Sequence, residues 1–355
     1  MLTEIYDFSI ANTMVIPLRP TWVSNDAHRE ACKMLVLNKS KGDFHKEDFG
    51  AIVDYIKEGD VICFNDSAMI SNMFTCKARN NNIIKIVLEG FLPENRVIIS
   101  GILKESIDIH DVLYLVDAPD ISIMIECEFA EKCQYQAVVE NHDALIRYLA
   151  EQGERLDEYV DSRFFYKNPE AYRSVFSNKY GSLEIPSAGM HFTWELIQKI
   201  KNKGGIITFI TLHIASTEII SNREIKMRHV EDITLNKEYY DVSQATADTI
   251  NIAKKRGGRI FAIGTTVARC LESAYSRQAH CIEASCGWTD LYINPGYQLN
   301  IVDCLLTNLH QPKTTHMVLT GQFAGVDLLM KAYTSEEIQS CQFDMFGDCM
   351  LIIHE

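Results

Sequence analysis

The feature that most limits how this chain folds is a change of hydrophobic period between about Asn72 and Glu140. There the runs "IIKIVLEGF", "RVIISGIL", "DVLYLVD", "ISIMIECEF" and "YQAVVE" follow one another at hairpin spacing, with polar turns between them. Five such short runs predict a small barrel or sandwich set into the chain.

The flanking segments read differently. Asp43 to Asn65, "DFHKEDFGAIVDYIKEGDVICFN", reads as an amphipathic helix, a Gly-Asp turn and a buried strand. Helical signals return in "HDALIRYLAEQGERLDEYV", and from Gly181 onward strands and helices alternate. Thr193 caps the helix "WELIQKIKNK", Gly204 ends it, and "IITFITLHI" reads as a strand buried on both faces. The helix "SQATADTINIAKKR", the strand "RIFAIG", the loop "GTT" and the helix "VARCLESAYSR" follow. This order predicts a mixed α/β (α+β) fold: a larger body from residues 1–71 and 156–355, with an inserted barrel-like domain at 72–155. At 355 residues the chain exceeds the usual size of one hydrophobic core, which fits two domains.

The formal charge of −14 makes the average surface repel phosphate and gives no prior for non-specific nucleic-acid binding. The densest cationic run, "KKRGGR" from Lys254 to Arg259, closes a predicted helix, where cations favour the negative end of the dipole. The 11 cysteines show no C-x-x-C pair and no Cys/His cluster at metal spacing, so reduced thiols and no metal are expected. The first residues lack a basic and apolar leader, and no apolar stretch approaches bilayer length. The expectation is a soluble cytoplasmic protein that does not enter a membrane; oligomeric state is not legible.

Candidate chemistry gathers at predicted strand ends. In "FAIGTTVARCLES" a buried strand delivers Gly264, Thr265 and Thr266 to the mouth of a helix, where free N–H groups bind an anion or carboxylate. Arg269 and Glu272 stand at i and i+3 on one face of that helix. The same residues also read as an ordinary N-cap and an ordinary surface ion pair. His191 follows the turn "PSAGM", His213 ends "IITFITLHI", and His310 precedes a proline-fixed turn after "NIVDCLL". Each alone is as readily a core histidine as a catalyst, but three at strand ends or turns are where α/β bodies collect ligands.

In order along the chain, "GDVICFNDSAMIS", "YRSVFS", "PSAGMHF", "TLHI", "AIGTTVARCLES", "YINPGYQLNIVDCLLTNLHQPKTT", "FAG" and "GDCMLI" resemble the motifs of the S-adenosylmethionine:tRNA ribosyltransferase-isomerase family of the queuosine pathway. The resemblance covers nearly the whole chain. It implies that S-adenosylmethionine is a substrate whose ribosyl part is moved. The 5′ carbon, acidified by the sulfonium, loses a proton, the ribosyl unit passes to the aminomethyl group of a 7-deazaguanine in tRNA, and adenine and methionine leave. That chemistry needs a base, an acid and a clamp for the methionine end. The resemblance nominates His191, His213, His310 and Asp348 for proton handling. It nominates Ala188, Gly189, Gly264, Thr265, Thr266, Arg269 and Glu272 for S-adenosylmethionine, and Asn65, Lys313 and Thr314 for the acceptor; Glu184, a departure from the pattern, joins them as an acceptor-binding candidate.

Several positions depart from the family pattern. Ala68 and Met73 stand where arginines are common and Ser71 where proline is, while Glu30 and Lys33 replace a serine and an arginine. Ala215 to Ser221 replaces a glycine-rich stretch, Ile233 and Asn236 stand where histidines would, and Asn294 replaces a tyrosine. Glu184 and Ile185 take the place of small alanines, and a carboxylate at Glu184 favours an amine over phosphate. Two further readings therefore stand beside tRNA modification: a paralogue using S-adenosylmethionine with a small-molecule acceptor or by elimination or cyclisation, and a non-catalytic binding protein of the same fold.

Overall fold

The structure, a computed structural model, describes residues 14–17, 19–20, 22, 26–78, 81–101, 107–129, 134–155, 161–215, 229–230, 233–312 and 314–354. Lys313 and residues 216–221, singled out above, lie outside the described residues.

A large sheet and a closed barrel organise the chain, as the mixed α/β reading expects. The sheet has nine strands in the order Ser285–Thr289, Glu238–Val242, Ile206–His213, Val61–Asn65, Ile260–Ile263, Cys304–Asn308, Cys349–Ile353, Lys33–Asn38 and Asp43–Asp48. Alternate residues serve two cores. Leu35, Val61, Cys63, Ala262, Leu305 and Met350 face one side, against the helices Gln244–Lys255, Thr265–Ser273, Thr315–Ala324 and Val326–Tyr333. Met34, Ile62, Phe64, Phe261, Leu306 and Leu351 face the other, against the helix Trp194–Asn202 and the turn Phe49–Tyr55. Burial on both faces is why the central strands are continuous apolar runs.

The four strands from Ile206–His213 to Cys304–Asn308 are parallel. Their carboxyl ends therefore share one rim, which brings Asn65, His213, Gly264 and Asn308 to the same edge of the sheet. The helix cap read from the sequence forms at Thr193, which accepts from the Leu196 N–H at 3.1 Å, and a second forms at Ser243, which accepts from the Thr246 N–H at 3.2 Å.

Six strands, not five, close the barrel: Gln134–Val139, Arg96–Gly101, Ile83–Leu92, Met73–Lys77, Val112–Leu115 and Ser122–Phe129. The additional strand, "MFTCK", is too short to show a period on its own. Ile84, Ile86, Leu88, Val97, Ile99, Ile123 and Ile125 fill the interior, and the helix His142–Glu151 adds Leu145 and Leu149 to the same cluster. Where the chain enters and leaves the barrel, the Asn72 and Met73 N–H groups donate to the Glu154 carbonyl at 3.2 and 2.8 Å. Arg155 donates to the carbonyls of Ile70 and Leu183, so the two crossings are held side by side.

One expected helix is corrected. Asp43–Asp48 is an edge strand paired antiparallel with Lys33–Asn38, and only Phe49–Tyr55 turns, as a 3₁₀ segment. The backbone groups of Lys33–Asn38 needed a partner, and that demand outweighs a weak helical period. The cations of "KKRGGR" serve the fold: Lys254 binds the Asp303 carboxylate at 2.8 Å and Arg259 binds Asp60 at 2.7 Å. Among the described residues no helix is long and apolar enough to cross a membrane.

Candidate substrate cleft

The helix Thr265–Ser273 starts directly from the strand Ile260–Ile263, so the expected "GTT" loop is Gly264 alone. Gly264 has φ 102°, a conformation that L side chains rarely adopt, and a Cβ there would lie 3.6 Å from that of Ala188. Gly264 offers no side-chain cap, so the first-turn N–H groups of Thr265 and Thr266 stay available at the positive end of the helix.

These threonines line a cleft of about 690 Å³, measured to its open mouth, with Arg269, Glu238, Ile214, Ala215, Ile233, Leu235, Asn236, Tyr292, Thr315, His316 and Leu319. Arg269 is buried. Its Nε donates to the Leu291 carbonyl at 2.8 Å and its Nη1 to Glu238 Oε2, while Nη2 has no hydrogen-bond partner among the described residues. The other Glu238 oxygen accepts from the Ala215 N–H at 3.1 Å. An unpaired guanidinium N–H beside an uncapped helix mouth fits an anionic group, and apolar walls at Ile214, Ile233, Leu235 and Leu319 fit a larger uncharged body.

His316, on the first turn of Thr315–Ala324, faces the cleft and stacks on His310 with ring centroids 4.7 Å apart. His310 Nε2 and Thr307 Oγ1 are 2.8 Å apart, and Tyr333 holds the His310 backbone. Burial, then the neighbouring His316, lowers the His310 pKa well below its ordinary value. Burial, then the Arg269 charge, takes His316 to about 4. Both rings are therefore neutral near pH 7.

The other nominated residues that the structure describes do not line the cleft. His213 Nδ1 lies 2.7 Å from Ser67 Oγ, and its ring stacks on Tyr239. Burial, then Lys179, lowers its pKa to about 4. Asn65 accepts from the Leu212 N–H at 3.0 Å and donates to the Leu212 carbonyl at 2.9 Å and to Thr266 Oγ1 at 3.4 Å, tying strand end to helix mouth. Glu272 is occupied in the fold: its carboxylate accepts from the N–H groups of Asn300, Ile301 and Val302 and from the Tyr297 hydroxyl. Asp348 accepts from the N–H groups of Lys33 at 2.6 Å and Gln342 at 2.8 Å. Thr314 caps its helix through the Met317 N–H, and Glu184 is partly exposed. Gly189 lets Phe176 approach, since a Cβ there would meet the ring at 2.9 Å.

His191 is fully buried in the 3₁₀ turn Ser187–His191, between Trp22 and Phe49. Its Nε2 lies 3.1 Å from the Asn308 amide and its Nδ1 3.4 Å from the Arg29 carbonyl. Beside it, a hydrogen bond from Cys349 and then the His191 charge outweigh burial and lower the Cys32 pKa to about 6. Burial pulls His191 down, but the charge and hydrogen bond of Cys32 lift it above its ordinary value.

Sequence reasoning missed Glu238, Tyr292 and His316. His316 lies one residue past the matching "NLHQPKTT", and its signal was an unexplained histidine on a helix start. Ile233 and Asn236, flagged as departures, both line the cleft.

The profile of the queuosine biosynthesis protein family matches residues 3–352. S-adenosylmethionine:tRNA ribosyltransferase-isomerase of Finegoldia magna is 32% identical over 336 residues, covering 91% of this chain and 92% of the relative. The enzyme of the same name from Dehalococcoides mccartyi is 32% identical over 372 residues, covering 99% and 100%. A crystal structure of S-adenosylmethionine tRNA ribosyltransferase from Thermotoga maritima superposes with a TM-score of 0.54 at 25% identity, covering 98% of this chain and all of that one. This chain belongs to the queuosine biosynthesis protein family, together with the S-adenosylmethionine:tRNA ribosyltransferase-isomerases.

Proposed function

We propose that this chain is an S-adenosylmethionine:tRNA ribosyltransferase-isomerase, moving the ribosyl part of S-adenosylmethionine onto 7-aminomethyl-7-deazaguanine in tRNA and releasing adenine and methionine. The relatives' shared name supports the reaction. The observation that carries the site is the unpaired Arg269 Nη2 in the cleft wall.

In this proposal the methionine carboxylate takes Arg269 Nη2 and the N–H groups of Thr265 and Thr266, a charge-assisted contact of the kind Arg makes best. The apolar walls hold the rest of the molecule. Neutral His316, backed by His310, accepts the proton that the sulfonium acidifies at the 5′ carbon; a cationic imidazole there would repel the sulfonium. His213, Asn65 and Asp348 position the strand ends rather than touch substrate. No observation favours a small-molecule acceptor or a non-catalytic role.

The test is incubation with S-adenosylmethionine, with and without tRNA bearing the aminomethyl-deazaguanine, followed by mass spectrometry. Adenine and methionine released only with that tRNA support the proposal. Sulfonium breakdown without tRNA, or binding with no turnover in either case, overturns it.

A further inference from the structure

We propose a second site, separate from the cleft, in which Cys32, Cys349 and His191 bind one thiophilic divalent cation of the zinc class. One ligand atom from each of these residues lies within 4.8 Å of the other two. They arrive from three different elements: the residue before the strand Lys33–Asn38, the first residue of Cys349–Ile353, and the last residue of the turn Ser187–His191. Their distance along the chain is why the cysteine spacing in the sequence gave no metal signal.

Two thiolates and an imidazole are the donor set that zinc prefers. At bond lengths of about 2.3 Å to sulfur and 2.0–2.1 Å to nitrogen, the ligand atoms of a tetrahedral ion stand roughly 3.5–3.8 Å apart. The observed cluster reaches that spacing with a closure of roughly 1 Å, within the reach of side-chain rotation.

His191 Nε2 is engaged by Asn308, which leaves Nδ1, 3.4 Å from the Arg29 carbonyl, for the ion. With Nδ1 ligated the ring proton sits on Nε2; the Asn308 amide, whose Oδ1 otherwise accepts from Ser187 Oγ at 3.0 Å, turns so that Oδ1 accepts the ring proton and the amide N–H donates to Ser187 instead, the outer-shell partner such histidines require. Both cysteines bind as thiolates, and the protons they lose go to solvent. The ion takes a fourth ligand from water on the side where Cys32 is partly exposed. Bound there, it clips the starts of two sheet strands to the turn that carries Ala188 and Gly189.

The experiment titrates Co²⁺ into the reduced, metal-free full chain, reading thiolate-to-cobalt charge transfer, then adds Zn²⁺. Saturation at one Co²⁺ per chain, reversed by Zn²⁺ and lost in both Cys349→Ala and Cys32→Ser, is expected. Asn308→Ala should weaken binding by about 10–100-fold. No saturable band, or a band that persists in both cysteine variants, overturns the proposal, since other free thiols, such as exposed Cys127 and Cys286, would then hold the metal. A readout needing no variant is iodoacetamide labelling of the unaltered protein, followed on the tryptic peptide Glu30–Lys33. Zn²⁺ should protect Cys32 at one equivalent, and undiminished labelling overturns the site.

Discussion

Arg269 donates Nη1 to Glu238 inside the cleft wall, and this single contact sets the charge of the whole site. The pair leaves Nη2 of the same guanidinium without a partner among the described residues. Removing one member leaves the other buried and uncompensated, at a cost of about 3–5 kcal/mol. Arg269→Ala should therefore lower the unfolding free energy by that amount in urea titration. Arg269→Lys keeps the charge but not the fork, and should weaken S-adenosylmethionine binding by roughly 10–100-fold in calorimetry. Unchanged affinity in the lysine variant would remove Arg269 from the ligand site.

His316→Ala should leave S-adenosylmethionine affinity within a few-fold of the parent and lower kcat by about 10²–10⁴. The check is single-turnover release of adenine. Full activity would sink the proton-acceptor role and return it to the other histidines.

Three histidines give a pH signature. His213, His310 and His316 have pKa values below that of a free histidine, so the unfolded chain binds protons that the folded one refuses. His213 and His316 each contribute stability that is complete above about pH 6.5 and is lost as pH falls from there towards about 4, with a slope of up to about 1.4 kcal/mol per pH unit, and His310 adds a loss of the same sign. Denaturant midpoints should fall across pH 6.5 to 4, and His213→Asn should reduce the slope. His191 has the opposite sign, with a pKa above the ordinary value, and should not add to that loss.

Glu272 tests the difference between a ligand contact and a fold contact. Glu272→Ala strips acceptors from the N–H groups of Asn300, Ile301 and Val302, each costing about 1–3 kcal/mol when left buried and unpaired. Thermal denaturation should show a large loss, and limited proteolysis should cut near residues 297–302. The folded fraction should bind S-adenosylmethionine as the parent does.

Gly264→Ala forces a side chain into a backbone conformation that costs on the order of 1–3 kcal/mol outside glycine. Chemical denaturation should show that loss. S-adenosylmethionine affinity should fall with it, because relieving the strain turns the mouth of the helix.

Much of this protein could be read from residue order alone. The β-rich insertion, the cap at Thr193, the strand "IFAI" and the helix mouth after it are local matters of period, capping chemistry and glycine placement, which neighbours in sequence decide. The strand Asp43–Asp48 was misread because its partner edge lies elsewhere in the chain.

The site divides along the same line. Thr265, Thr266 and Arg269 were legible as a group because one helix start carries all three, and all three line the cleft. Tertiary structure alone decided that Glu272 bonds a loop, that His316 rather than His191 faces the cleft, and that Cys32, His191 and Cys349 meet. Residue order sets what each side chain can do, but which groups meet depends on strand register and on how sheet ends converge. Those are fixed by the burial of side chains hundreds of residues apart.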